Sequence, residues 1–188
     1  LPPHNGLRRC CGFRTRHLRG AERILRRHGG GTGGAFHGSD LLAHWRLSTL
    51  HDQTVDEWGI LTRNLFALAS IDTGKISGII IASVVPPLDS VLEQVSQLYF
   101  QVPAVFVRAN HHAGIPILYV PPQDVGADRI VNAVAALEKY GAPCVVVDFG
   151  TAITFDAISA KGEYLGGVIA PGIGIAAEAL FAKAARLP

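Results

Sequence analysis

Val145-Val146-Val147-Asp148-Phe149-Gly150-Thr151-Ala152-Ile153-Thr154-Phe155-Asp156 is the stretch that decides the fold. A β-branched apolar run reads as a buried strand, Asp148 arrives at its end, and Gly150-Thr151 turns the chain into a second strand over 152–159. Gly150 lets backbone come close to a ligand, and the N–H groups of the turn with the Thr151 hydroxyl can cradle a phosphate. Asp148 beside them can hold a cation that offsets phosphate charge. A plain hairpin with an Asp near its turn has the same spacing, so both readings stand at this point.

Outward from this hairpin the pattern alternates between strands and helices. Upstream, 35–47 reads as a hairpin turning at 38–40. A helix follows over 54–69, where Thr54 can cap, Glu57 stands three residues on, and Trp58, Leu61, Leu65 and Leu68 recur at helical spacing. The apolar run 78–85 reads as a strand buried on both faces and ended by Pro86-Pro87. A helix over 88–100, short strands at 104–107 and 117–120, and a helix over 128–140 lead back to the strand at 144–148. Downstream, 164–170 reads as a strand and 174–185 as a helix. Such alternation predicts an α/β protein whose mixed sheets are flanked by helices.

Composition agrees and excludes several classes. The 188 residues are 48% hydrophobic and 17% charged, with 21 Gly and 11 Pro, which excludes global disorder, collagen and a coiled coil. The longest apolar stretch, 76–88, is shorter than the roughly 20 residues a membrane span needs, so no membrane partner is expected. Three cysteines, with Cys10 and Cys11 adjacent and Cys144 in a buried strand, make neither a disulfide framework nor a zinc pattern. The His111-His112 pair is a poor metal candidate, because adjacent side chains diverge and no carboxylate lies close in sequence. The net charge of +2 divides unevenly: residues 1–33 hold eight Arg against the single acid Glu22, and the remaining residues hold 9 basic against 14 acidic. The basic character belongs to that Arg/Gly-rich segment, which is expected to be disordered, and nucleic acid is not the expected partner of the acidic remainder.

Two further motifs could carry chemistry. In Gly126-Ala127-Asp128-Arg129 a glycine precedes an acid and a base where a helix begins. Asp128 in a first turn is favoured by the helix dipole alone; the sharper reading makes it a general base and Arg129 an anchor for an anionic or polar substrate. Gly166-Gly167-Val168-Ile169-Ala170-Pro171-Gly172 runs from strand through a glycine-rich turn to a helix, which suits nucleotide approach at a helix N-terminus.

GADR at 126–129, DFGTAITFD at 148–156 and GGVIAPG at 166–172, in this order, resemble the type III pantothenate kinases. The resemblance runs from Ala35 onward. It implies an RNase H-like, actin-like ATPase fold of the superfamily of acetate and sugar kinases and heat-shock chaperones. It also implies ATP-dependent phosphorylation of pantothenate to 4'-phosphopantothenate, the first step of coenzyme A synthesis. By the resemblance Asp128 is the catalytic proton acceptor, Tyr119, Gly126, Ala127, Asp128 and Arg129 bind substrate, Gly150 and Thr151 contact ATP, and Asp148 holds a monovalent cation, K+ or NH4+. ATP enters as a co-substrate with Mg2+, and a cytoplasmic homodimer is implied.

Departures from the family pattern bear on domains. Family chains open with a strand ending in a DxGNT phosphate loop; residues 24–32 hold that place here without Asp or Asn. The Arg-, His- and Cys-rich text before Gly34, and the absence of Met, read as an altered N-terminus such as a frameshift. The family pattern also continues beyond the segment matching 180–188, so a truncated C-terminus is expected. The expected organisation is thus 1–33 outside the pattern, 34–140 a first RNase H-like domain lacking its first strand, and 141–188 the start of a second. Impaired ATP turnover follows from that expectation. The competing function is that of a non-catalytic relative acting as an accessory transcription factor.

Overall fold

The computed structural model describes residues 30–48, 52–109 and 113–183. The run 1–29, with its Arg cluster, Cys10 and Cys11, and the His111-His112 pair lie outside the described residues.

Strand β1 (Gly30–His37) pairs antiparallel with β2 (Asp40–Ser48) through a two-residue turn, where Gly38 takes φ 63°. That left-handed conformation suits glycine and is what tight hairpins use. The strand begins at Gly30, so the last residues of the Arg/Gly-rich segment, expected to be disordered, are paired: Gly33 faces Trp45. Alternate residues of β2 are half-buried, and the Trp45 ring lies 4.9 Å from Phe66.

Helix α1 (Val55–Leu68) starts on a capping box: Thr54 Oγ1 accepts the Glu57 N–H at 3.3 Å, and the Glu57 carboxylate accepts the Thr54 N–H at 2.7 Å. It packs against α2 (Pro86–Phe100), with Trp58, Leu88 and Val95 buried between them and Phe66 edge-on to Phe100. Tyr99 donates its hydroxyl to Asp56 at 2.6 Å, and Arg63 donates to the Tyr99 carbonyl at 3.0 Å.

The buried strand expected over 78–85 is much shorter. Only Ile79–Ile81 form β3, pairing parallel with β4 (Ala104–Phe106), and Ile80 is 45% exposed. Ser83 Oγ accepts the Val85 N–H at 3.2 Å and turns the chain. The prolines expected to end the strand instead open α2, because proline suits the first helical position, where the missing N–H costs nothing. The strand expected at 117–120 is likewise reduced to one parallel bridge between Ile117 and Tyr164.

Helix α3 (Ala127–Tyr140) covers one face of an antiparallel sheet made of β5 (Cys144–Phe149), β6 (Ala152–Ile158) and β7 (Tyr164–Pro171). Here lies the main core: Ile115, Val125, Ile130, Ala133, Val134, Ile158 and Tyr164, with Cys144 and Val146 packed on it. Each fully buried aliphatic side chain there contributes about 1.5–3 kcal/mol relative to exposure. The opposite face is open, with Val145, Phe149 and Val168 each more than 60% exposed. Helix α4 (Ile173–Lys183) follows β7. The chain is therefore a mixed α/β protein of small sheets and covering helices, and no helix among the described residues is long and apolar enough to cross a membrane.

Candidate active site

The N-terminus of α3 and the β5–β6–β7 sheet build the site together. Gly126 precedes the helix with its N–H ladder unclosed, and Asp128 folds back so that one carboxylate oxygen accepts the Arg129 N–H at 2.8 Å. A Cβ on Gly126 would stand 2.6 Å from that oxygen, so glycine at 126 is what allows the carboxylate to lie there. Asp128 is exposed, while Ala127 is buried and Val84 closes on Gly126 from the loop before α2. The result is an accessible acid next to a buried residue.

Arg129 turns the other way, into the sheet. Its Nε donates to Asp156 Oδ1 at 2.7 Å and its Nη2 stands 2.6 Å from the same oxygen. The Tyr164 hydroxyl donates to that oxygen as well, at 2.5 Å. Asp156 is completely buried and Tyr164 is 1% exposed. Burial, with the Asp156 carboxylate as next neighbour, pushes the Tyr164 phenol well above its ordinary range, so it remains a donor. Burial alone would lower the Arg129 pKa, but hydrogen bonding and attraction to Asp156 outweigh it and the guanidinium is held charged.

Gly167 makes this approach possible. It is paired with Asp156 across β6 and β7, and a side chain there would meet the Phe155 carbonyl, the Arg129 guanidinium and Asp156 Oδ1. Next to it, Gly166 has φ 127°, and a Cβ on it would be 2.9 Å from the Tyr119 ring. Tyr119 reaches this position because the Leu118 N–H donates to the Tyr164 carbonyl at 2.9 Å and the Tyr164 N–H to the Pro116 carbonyl at 2.8 Å. Tyr119, Asp124, Val125, Arg129, Tyr164 and Gly167 line a cleft of about 160 Å³. An adjoining open hollow of about 400 Å³ shares Tyr119 and Gly167 with it.

The β5–β6 turn is less free than its sequence suggests. The Gly150 N–H donates to the Ala152 carbonyl at 2.9 Å, and the Thr151 carbonyl accepts from Gly172 at 2.9 Å. Gly172 must be glycine, since a Cβ would run into the carbonyls of Gly150 and Thr151. The Gly150 N–H is thus spent inside the turn, and what it offers a phosphate is closeness of approach, with Thr151 supplying the polar group. Asp148 is half-buried, and one of its oxygens accepts from Asn132 of α3 at 3.1 Å. No group of three or more His, Cys, Asp or Glu gathers among the described residues. A cation at Asp148 would meet a carboxylate oxygen, a ligand suited to oxygen-preferring ions more than to zinc, which favours sulfur and nitrogen. Cys144 faces the core, where burial raises its thiol pKa, an inert structural setting.

The sequence-predicted residues thus fall into two groups on one body. Tyr119 and Arg129 line the cleft, Gly126, Ala127 and Asp128 stand beside Arg129 at the start of α3 without lining it, and Asp148, Gly150 and Thr151 lie at the far end of β5. Sequence reading missed Asp156, Tyr164, Asn132 and Gly167 as partners. One signal was present: an acid at position 156 of a largely apolar strand, in phase with buried Ile158, calls for a cationic partner.

A family model of type III pantothenate kinases matches residues 32–188. A type III pantothenate kinase of Koribacter versatilis (strain Ellin345) is 62% identical over 148 residues, covering 79% of this chain and 54% of the relative. That of Solibacter usitatus (strain Ellin6076) is 61% identical over 155 residues, covering 82% and 59%. That of Myxococcus xanthus (strain DK1622) is 55% identical over 155 residues, covering 82% and 60%. The chain spans little more than half the length of the curated relatives it matches. With GADR, DFGTAITFD and GGVIAPG brought onto one helix–sheet body, the chain belongs to the type III pantothenate kinase family.

Proposed function

We propose that the protein takes part in ATP-dependent phosphorylation of pantothenate to 4'-phosphopantothenate, the first step of coenzyme A synthesis. The observation that carries this reading is the opposed orientation of two consecutive residues at the start of α3. Asp128 remains exposed, while Arg129 is charged and anchored beside Tyr119 in the cleft. Arg129 and Tyr119 hold the acid substrate, and Asp128 uses its unengaged oxygen to accept the proton of the primary hydroxyl. That hydroxyl oxygen bonds to the γ-phosphorus of ATP as the bond from phosphorus to the β–γ bridging oxygen breaks, and ADP leaves. Phosphoryl transfer asks for positioning and charge stabilisation above all, which suits a base that acts late, as the hydroxyl acidifies.

Gly150 and Thr151 approach the ATP phosphates, and Asp148, held by Asn132, is the seat of a K+ or NH4+ ion. When bound, that ion and the Mg2+ accompanying ATP supply positive charge beside the phosphates. An RNase H-like fold with 34–140 and 141–188 as parts of two such domains, a homodimer, and cytoplasmic location accompany this reading.

The test is transfer of labelled phosphate from ATP to pantothenate, with and without K+, comparing the chain with Asp128→Asn. The expected result is K+-stimulated transfer that is weak in this chain, whose residues 24–32 carry no DxGNT sequence, and that falls by at least about a further hundredfold in Asp128→Asn. Transfer undiminished in Asp128→Asn would remove Asp128 from the reaction.

A further inference from the structure

We infer that Asp156 and Tyr164 are positioning residues for the reaction: they fix the Arg129 guanidinium so that it meets the carboxylate of the acid substrate in one preset orientation. This rests on the pantothenate reading. Two elements converge on a single atom of β6, Asp156 Oδ1: Arg129 from α3 through Nε and Nη2, and Tyr164 from the start of β7 through its hydroxyl. Asp156 has no solvent exposure, and it touches nothing that would react.

A carboxylate that deep is costly unless paired, and pairing it consumes one edge of the guanidinium. Nε donates to Asp156, Nη2 stands 2.6 Å from the same oxygen without a hydrogen bond of its own, and the side chain keeps 12% of its surface exposed. The pair also shares the cleft wall, since Arg129, Tyr164 and Gly167 all line it beside Tyr119. Gly167 lets the guanidinium lie flat across β7, because any side chain there would occupy its place. An Arg free to swivel would have to lose its rotational freedom at each binding event; one held from behind has already lost it. Tyr164 contributes a second lock: its bond to Oδ1 fixes the carboxylate that in turn fixes Arg129. Asp156 Oδ2 stays buried without a partner, so the carboxylate is held entirely through its other oxygen.

A purely structural ion pair would affect every ligand alike, whereas a positioning pair affects the acid. The experiment compares binding of pantothenate and of pantothenol, which carries an alcohol in place of the carboxylate, by titration calorimetry on the full chain. Arg129→Ala, Asp156→Ala and Tyr164→Phe are measured beside the unaltered protein. Expected are about tenfold weaker pantothenate binding in Asp156→Ala and about two- to fivefold in Tyr164→Phe, with pantothenol within about twofold throughout. Combining Asp156→Ala with Arg129→Ala adds nothing to Arg129→Ala alone. Equal weakening of both ligands, or full additivity in the double variant, overturns the inference. Tyr164→Phe keeps the ring packed and so decides the matter even where Asp156→Ala fails to fold.

A second readout does not need the ligand. The Arg129 Nε–H resonance is expected to exchange slowly with solvent in the unaltered chain and fast in Tyr164→Phe and Asp156→Ala. If the unaltered chain binds neither ligand, the pantothenate reading fails, and this resonance still judges the positioning: fast exchange in the unaltered chain overturns it.

Discussion

Replacing Gly167 by alanine tests the architecture of the site with one methyl group. The new Cβ meets three things at once: the Phe155 carbonyl on the neighbouring strand, the Arg129 guanidinium and Asp156 Oδ1. A side-chain tip could rotate away, but the carbonyl belongs to the β6 backbone, whose Asp156 is paired with Gly167 itself. Either β7 withdraws from β6 or Arg129 leaves Asp156. Overpacking against an unyielding neighbour costs about 1–3 kcal/mol. Complete separation of a buried ion pair by loss of one partner costs about 3–5 kcal/mol, of which a displaced pair loses part. Together, about 3–5 kcal/mol is expected, or roughly 6–20 °C in Tm for a chain of this size. Gly174→Ala is the matched control, because nothing lies within 4 Å of a Cβ there and the residue is inside α4. It should be neutral or stabilise by up to about 1 kcal/mol through helix propensity. Melting followed by circular dichroism at fixed protein concentration reads both. A fall of less than about 3 °C for Gly167→Ala would mean that β7 accommodates a side chain and that the close approach of Arg129 does not depend on glycine.

Thr54→Ala removes one half of the α1 capping box and should cost about 0.5–2 kcal/mol, measured by urea titration with an unchanged m value. Tyr164 has a folded-state pKa above its unfolded value, so its stabilisation is complete below pH about 10 and is lost as pH rises past that. Stability titrated from pH 8 upward should therefore fall in the unaltered chain, and Tyr164→Phe should remove part of that slope; an identical slope would separate the phenol from the loss. Glu57 behaves oppositely: hydrogen bonds from Thr54 hold its pKa below 4.5, so its contribution is present above that pH and disappears as acid is added. Thr54→Ala should shift the Glu57 carboxyl titration, followed by NMR, upward. Gly59→Ala forces a methyl into the Tyr99 ring and should loosen α1 from α2, read as lost tryptophan burial at Trp58.

What was legible in the sequence was whatever depends on residues close along the chain. The α1 cap is an example, because Thr54 and Glu57 are three residues apart and their reciprocal bonds are local. The hairpin of β5 and β6 is another in its bounds, since a β-branched run and a Gly-Thr turn carry it, although the strand read as buried leaves Val145 and Phe149 exposed. Asp128 and Arg129 could be found as candidates for the same reason. Their opposed orientations could not, because the partner that turns Arg129 inward lies 27 residues on, across a sheet. The strand expected over 78–85 failed on a competition that pattern alone does not resolve. Ile79–Ile81 pair, but Ser83 turns the chain and proline starts a helix there as readily as it ends a strand. The Gly150 turn shows a third limit: its N–H groups look available in sequence, and only the register of the hairpin and the nearness of Gly172 reveal that one is consumed.

The two bonds that α3 makes to the sheet have a mechanical meaning. Arg129 reaches Asp156 on β6, and Asn132, one helical turn later, reaches Asp148 on β5. A rod fastened at one point can swivel about it; fastened at two points on adjacent strands, it can neither rotate about its axis nor slide without breaking one of them. The N-terminal end of the helix and the β5–β6 turn therefore travel together as a single lever. Any hinge in this body has to lie somewhere other than between these two ends.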